Sequence, residues 1–393
     1  MNIAVVTTNL GLGGITSFCF GLVNYLAGKE GVHVTFFYTK DEHELIRDFD
    51  KRVSFVKYQA PQSNTLKFMV RALLRGGLRK LIKLKKRVHT DIPPTSSIQF
   101  VNRLLADMTH DLPGVYDMAI STAEFYCNDL VANKVQAKYK VGWIHPDYSK
   151  LGVNVDFELF TLKKLDRIVG VSDASTQSLV ELFPGIKDRF LTIYNMLLPE
   201  FVEKRAEREI NNKQLFDTTN IKILTVCRID NSSKRLDRII RACAFFKEKG
   251  LAFHWFVIGD GEDLEGLKMM ASELGIDDYI SFLGSMNNPY PYYKLADVFI
   301  LTSQYEGKPV VVDEALAMKC PVVVTNYKSA KEQVPKVYGR VIENDDNAVS
   351  EQLYSVLSNK EQIEQWHKNL DSYLPDNKKS IENIDNLISL ANE

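Results

Sequence analysis

The chain has 393 residues, 45% hydrophobic and 25% charged, a mixture that suits a soluble globular protein long enough for two separate cores. A net charge of −1 excludes a whole-protein field of the kind that draws nucleic acid, so none is expected as a partner. Five scattered cysteines (Cys19, Cys127, Cys227, Cys243, Cys320), without a CxxC pair, predict free thiols in a reducing compartment and exclude a disulfide scaffold or zinc site.

Met1 leads directly into an apolar strand-like run, without the basic and long apolar regions of a signal peptide. No apolar run approaches the roughly 20 residues that span a bilayer, so a cytoplasmic location is expected. Short β-branched runs then alternate with helical patterns, as parallel βα units do. Strands are predicted at 3–8, 33–39, 53–58, 117–121, 140–144, 167–171 and 190–194. Residues 199–220, rich in Glu, Lys, Arg and Asn, read as a linker. The alternation restarts with strands at 222–226, 254–258, 280–283, 298–301, 322–325 and 339–342, with helices at 236–249, 264–274 and 311–318 between them. The expected architecture is α/β: a Rossmann-like doubly wound domain over 1–198 and a second over 221–360. Helices over 361–393 are expected to pack back on the first domain. Ligand would sit at the carboxyl ends of the strands, in a cleft between the two domains. One large α/β domain is the alternative.

Two glycine turns follow strands. Gly11-Leu12-Gly13-Gly14 precedes a helix, whose first N–H groups would suit an anion or hydroxyl. It is not a dinucleotide fingerprint: position 16 is Thr, and no acid ends the second strand near Thr39, which disfavours a nicotinamide dehydrogenase. Gly259-Asp260-Gly261 either receives a ribose or base or only turns the chain. The most informative segment is Ser303-Gln304-Tyr305-Glu306-Gly307-Lys308-Pro309-Val310-Val311-Val312-Asp313-Glu314-Ala315. It places Glu306 on the loop after a strand and Glu314 in the following helix. Carboxylates there accept hydrogen bonds from sugar hydroxyls or a ribose diol, each worth about 1.5–3 kcal/mol. The bland reading is two solvated acids near a helix N-terminus.

At these residues the chain resembles glycosyltransferase family 4, retaining enzymes of the GT-B fold, which carry two glutamates separated by seven residues. Glu306, Glu314 and Ala315 match that pattern; Gly307-Lys308-Pro309 departs from it, since Pro309 has no N–H to offer a phosphate. Cys227-Arg228-Ile229 and Lys234-Arg235-Leu236-Asp237 are similar to the family's diphosphate-holding segment, with Cys227 in place of a glycine and either Lys234 or Arg235 as the second cation. The Gly11–Gly14 loop and Gly142-Trp143-Ile144-His145 look like the family's N-terminal loop and histidine segment. Thr325-Asn326-Tyr327-Lys328-Ser329-Ala330 stands where the family is often rich in glycine.

The resemblance implies a donor site of Gly13, Gly14, Arg228, Lys234, Gly259, Gly261, Glu306, Gly307, Lys308, Val310 and Glu314. Glu306, His145, Arg228 and Lys234 would be the catalytic groups. It implies a nucleotide-sugar donor, UDP-linked in preference, and a saccharide or lipid-linked acceptor in cell-surface polysaccharide assembly. No cofactor or metal is expected, because two cations take the place of Mg²⁺ at the leaving diphosphate. Residues 66–88 carry Lys67, Arg71, Arg75, Arg79, Lys80, Lys83, Lys85, Lys86 and Arg87 with no acid, among leucines at near-helical spacing. Such a stretch suits an anionic membrane surface and a peripheral location on the inner face of the cytoplasmic membrane. Two rival readings remain: a sugar-nucleotide epimerase of the same fold, and a non-catalytic partner subunit that kept it.

Overall fold

The structure, a computed structural model, describes residues 1–11, 13–41, 45–62, 70, 95–209 and 216–393. Apart from Val70, the basic stretch 66–88 lies outside the described residues. The chain divides into two units. The first holds Met1–Gly11, Ile15–Met196 and Asn377–Glu393; the second holds Leu197–Asp376 with the short Leu12–Gly14 segment.

The first unit is built on seven strands: β1 (Asn2–Val6), β2 (His33–Tyr38), β3 (Ser54–Lys57), β4 (Leu112–Ser121), β5 (Val135–Ile144), β6 (Arg167–Gly170) and β7 (Phe190–Thr192). They pair in parallel in the order β3-β2-β1-β4-β5-β6-β7. Ile3, Ala4, Val5 and Val6 of central β1 are fully buried, as expected of a strand covered on both faces. Every strand predicted here is present. β4 and β5 begin five residues earlier than predicted: β4 opens with exposed Pro113, Gly114 and Val115, and β5 opens with polar Gln136 and Lys138 alternating with Val135, Ala137 and Tyr139, so neither first half reads as a buried apolar run. A small parallel pair, Asn9–Leu10 with Lys40–Asp41, had no sequence signal.

The second unit holds β8 (Ile221–Val226), β9 (Phe253–Ile258), β10 (Ile280–Gly284), β11 (Val298–Leu301), β12 (Val322–Thr325) and β13 (Gly339–Ile342). Their parallel order, β10-β9-β8-β11-β12-β13, repeats the doubly wound pattern of the first unit. Alternate residues of one strand feed opposite core layers: Trp255 and Val257 join Ile239, Ile240 and Phe246 on one face, whereas Phe256 and Ile258 join Phe299 and Leu316 on the other.

Two expectations are corrected. The 199–220 segment is not a free linker: helix Pro199–Ala206 buries Val202 and Ala206 in the second unit's core, where Phe216 stacks on Phe256 at 3.8 Å. Three apolar anchors inside a charged stretch are enough to pack it. The 361–393 helices also do not act together. Helix Lys360–Leu370 buries Ile363, Trp366 and Leu370 in the second unit, and only helix Lys378–Asn392 lies with the first. That last helix is tied down by Tyr25 and Lys29 on Asp385 (2.8 and 2.7 Å) and by Ser380 Oγ donating to the Tyr194 carbonyl (3.0 Å).

Candidate active site

In a doubly wound sheet the strand order reverses between the first and fourth strands, and the loops leaving their carboxyl ends diverge to open a crevice. In the second unit those strands are β8 and β11, which are hydrogen-bonded neighbours. Topology alone therefore brings the Cys227–Arg235 loop beside the Thr302–Pro309 loop, although 70 or so residues separate them in sequence.

The two loops meet in an ion pair. Lys234 Nζ lies 2.5 Å from Glu306 Oε1, with side-chain exposures of 18% and 12%. Ser303 Oγ donates to the same oxygen at 2.6 Å. Burial works against the charge on Lys234, but Glu306 outweighs it and the net direction of the ammonium's pKa is up. Of the two candidate cations, Lys234 is the one aimed at Glu306. Arg235 is engaged by Asp237 (3.0 Å), Asp346 (2.7 Å) and Gln304 (3.1 Å), and its backbone is held at φ 53°. Arg228 projects from the loop with its side chain 71% exposed, meeting Asp230 at 2.8 Å. Burial pushes the Asp230 carboxyl up, yet hydrogen bonds from Ser232 and the charge of Arg228 prevail and hold it below its ordinary value.

Glu314 is placed differently. It lies in helix Val310–Ala317, is 3% exposed, and accepts hydrogen bonds from Tyr290 (3.0 Å) and Tyr293 (3.3 Å). Pro309 precedes that helix, and its carbonyl accepts a hydrogen bond from Gln333 Nε2 at 2.9 Å. Val310 opens the helix and is buried; Gly307 is buried, and Lys308 is half-buried with its charge acting on Asp313. Gly259 and Gly261 have a packing reason to be glycine. A Cβ would fall 1.8 Å from the Cys227 carbonyl oxygen at the first and 2.0 Å from that of Ile229 at the second. Their turn therefore supports the loop that carries Arg228, which a sequence reading centred on ligands did not anticipate.

In the first unit, His145 follows β5. Its Nε2 stands 2.9 Å from the Thr122 carbonyl, an obligate acceptor, so Nε2 carries the proton and Nδ1 holds the lone pair in the neutral ring. Burial lowers its pKa against the opposing influence of Glu124, which also accepts the His145 backbone N–H at 3.3 Å. Phe18 meets the ring edge-on at 5.0 Å. Gly13 adopts φ +136°, open to glycine alone among common residues, and Gly14 begins helix Gly14–Gly28. Sequence reasoning missed Ser303, Asp230, Glu124, Tyr290 and Tyr293. Ser303 sits three residues before Glu306 and was legible in principle; the tyrosines lie on a separate helix, Tyr290–Leu295, and were not.

Two doubly wound sheets of this order, with a cation and an acid converging where the later one reverses, define a GT-B glycosyltransferase fold. Comparison with known proteins agrees. Residues 206–372 match the family described as Glycosyl transferases group 1. The chain is 24% identical over 370 residues to the Campylobacter jejuni N-acetylgalactosamine-N,N'-diacetylbacillosaminyl-diphospho-undecaprenol 4-alpha-N-acetylgalactosaminyltransferase, covering 92% of this chain and 91% of that one. Among solved structures it matches Anabaena Alr3699/HepE in complex with UDP and glucose, with a TM-score of 0.71 at 14% identity over 99% and 100% of the two chains. It also matches an S. aureus TarM mutant in complex with fondaparinux, alpha-GlcNAc-glycerol and UDP, with a TM-score of 0.68 at 13% identity over the whole of both chains. The protein is a glycosyltransferase, and residues 206–372 are the part of it that is similar to the group 1 family.

Proposed function

We propose that the protein is a retaining glycosyltransferase acting in the assembly of a bacterial cell-surface polysaccharide. It moves a hexose or N-acetylhexosamine from a UDP-sugar to a saccharide or lipid-linked saccharide acceptor. The observation that carries this reading is the 2.5 Å contact between Lys234 Nζ and Glu306 Oε1 at the reversal point of the second sheet. An ammonium paired to an acid there is ready to exchange part of its partnership for a diphosphate, and the exposed Arg228 beside it supplies a second positive charge. Two cations stabilise the charge that develops on the leaving oxygen, which is what departure of a nucleotide requires. Glu306, partly released, accepts a hydroxyl of the transferred sugar.

Glu314 takes the ribose diol, which has to enter the shell now filled by Tyr290 and Tyr293. The lone pair on His145 Nδ1 accepts a hydroxyl of the donor sugar or acceptor. The leaving phosphate takes the acceptor's proton on the same face of the sugar, so no protein nucleophile is needed and configuration is retained. The Campylobacter relative's name supports a lipid-linked acceptor, and the solved neighbours that hold UDP support the base. No helix among the described residues is long and apolar enough to cross a membrane, which is compatible with work at its cytoplasmic surface. No resident metal takes part, and turnover persists in excess EDTA; strict dependence on added Mg²⁺ would overturn that element.

The test is a thermal-shift screen of UDP-, GDP- and dTDP-sugars, followed by turnover of the best binder. A donor at 100 times its Kd adds about 2.7 kcal/mol to apparent stability. UDP-sugars should shift the midpoint most, and NMR of the product should show the donor's anomeric configuration. Conversion of the donor alone into a different nucleotide sugar would identify an epimerase instead, and binding without turnover of any acceptor would identify a non-catalytic subunit.

A further inference from the structure

Behind the Lys234–Glu306 pair, one buried cation ties three loops together. Arg238 lies in helix Leu236–Glu248 with its side chain 2% exposed. Every edge of its guanidinium is occupied: Nε donates to Asp346 Oδ1 (2.6 Å), Nη1 to the Thr302 carbonyl (3.0 Å) and Asn344 Oδ1 (2.7 Å), and Nη2 to Gln304 Oε1 (2.8 Å). The bound groups are cross-linked in turn. Asn344 Nδ2 donates to the Gln304 carbonyl at 2.8 Å, and the Gln304 N–H donates to the Ser233 carbonyl at 2.8 Å. Thr302 Oγ1 donates to the carbonyls of Lys234 (3.2 Å) and Arg235 (3.0 Å). Arg235, at φ 53°, is kept in that unfavourable conformation by its own bonds to Asp237, Asp346 and Gln304.

We propose that Arg238 is a positioning residue of the donor site: it locks the loop carrying Lys234 to the loop carrying Glu306 at one spacing, without touching substrate. The inference rests on the transferase reading for its consequence in turnover, and on the hydrogen bonds above for its geometry. A buried guanidinium is tolerable only while a carboxylate and other acceptors answer its charge, so any drift of the three loops leaves charge uncompensated. The planar fork reaches a carboxylate, an amide oxygen and a backbone carbonyl at once, which a lysine ammonium in that position cannot reproduce. Reacting groups held at fixed separation give more transition-state stabilisation than the same groups on loose loops.

The experiment uses the full chain with Arg238→Lys, Gln304→Met and Gln304→Glu, read in two ways. Without nucleotide, Lys234 is acetylated with an amine-reactive ester and its labelling is followed by mass spectrometry. Arg238→Lys should label about fivefold faster than wild type, because modification follows the fraction of open pairs. With UDP-N-acetylglucosamine as probe, its kcat should fall about tenfold while KM moves less than about threefold, the signature of a loss confined to the transition state. Gln304→Met should fall in the same direction by less, and Gln304→Glu should recover the loss, since a carboxylate accepts from both arginines. A folded Arg238→Lys protein with wild-type labelling and kcat overturns the proposal, as does a Gln304→Glu loss equal to that of Gln304→Met. Where Arg238→Lys does not fold, the exposed Gln304 pair decides. If wild type turns over no UDP-sugar the transferase reading fails, while the labelling still reads the lock.

Discussion

Glu158 in the first unit and Glu306 in the second are both withdrawn from water, but they are answered by different chemistry. Glu158, 2% exposed, receives its hydrogen bonds from neutral groups, Gln99 Nε2 at 2.7 Å and Tyr148 OH at 3.3 Å. Burial pushes its carboxyl up to about 7, with Asp129 adding to the push and Arg103 opposing it. Glu306 is answered by the Lys234 ammonium and the Ser303 hydroxyl. A buried acid held by neutral donors drifts toward protonation and stiffens the packing; one held by a cation keeps paired charges where a ligand can divide them. The places differ as well: Glu158 lies within helix Val155–Leu162, between β5 and β6, whereas Glu306 lies on the loop after β11, at the carboxyl end of a strand where a ligand can reach it.

Four predictions sharpen this contrast. Glu306→Gln removes the acid and leaves the ammonium unanswered. Turnover should fall about 10²–10³-fold, as when a transition-state contact is lost, while circular dichroism stays that of wild type; retained kcat would break the assignment. Gly259→Ala forces a Cβ to within 1.8 Å of the Cys227 carbonyl oxygen from a backbone at φ +147°. Strain of that kind costs about 2–3 kcal/mol, measurable as a lower urea midpoint, and it should weaken nucleotide binding through the Arg228 loop it supports.

Arg228→Ala separates binding from folding. Its pair with Asp230 is exposed, so stability should stay within about 0.5 kcal/mol of wild type. The Kd for UDP should rise about tenfold, the scale of one charge-assisted bond. An unchanged Kd in calorimetry would remove Arg228 from the donor site.

The smallest effect concerns Glu158 and depends on pH. Its folded pKa lies above the unfolded value, so its contribution to stability is full below about 4.3 and is lost as pH rises through about 7. Glu158→Gln should therefore raise the denaturation midpoint relative to wild type at pH 8 and not at pH 5. Parallel curves for the two proteins across that range would contradict it.

Much of the fold was legible. Val298–Leu301 and Val322–Thr325 are strands with the predicted bounds, because continuous apolar runs buried on both faces leave little ambiguity; Gly339–Ile342 also keeps its predicted bounds, although it is an edge strand with Arg340 exposed. The first halves of β4 and β5 were not, since Pro113 and Gly114 are poor strand formers and Gln136 and Lys138 are polar. Nor was the packing of 199–220, where Val202 and Phe216 were outvoted by charged neighbours. Within the site, the spacing of Glu306 and Glu314 and the cations after β8 were visible as residues in a line. Which of Lys234 and Arg235 faces the acid was not visible.

The amino-acid sequence by itself determined two runs of βα units and a set of acids and cations falling at strand ends, because periodicity and loop chemistry are local properties. Only the tertiary structure decided that Lys234 meets Glu306, that Arg235 and Arg238 turn away to Asp346 and Gln304, and that Glu314 lies among tyrosines. Those outcomes depend on which loops a parallel sheet sets side by side, and on which buried charges find partners there.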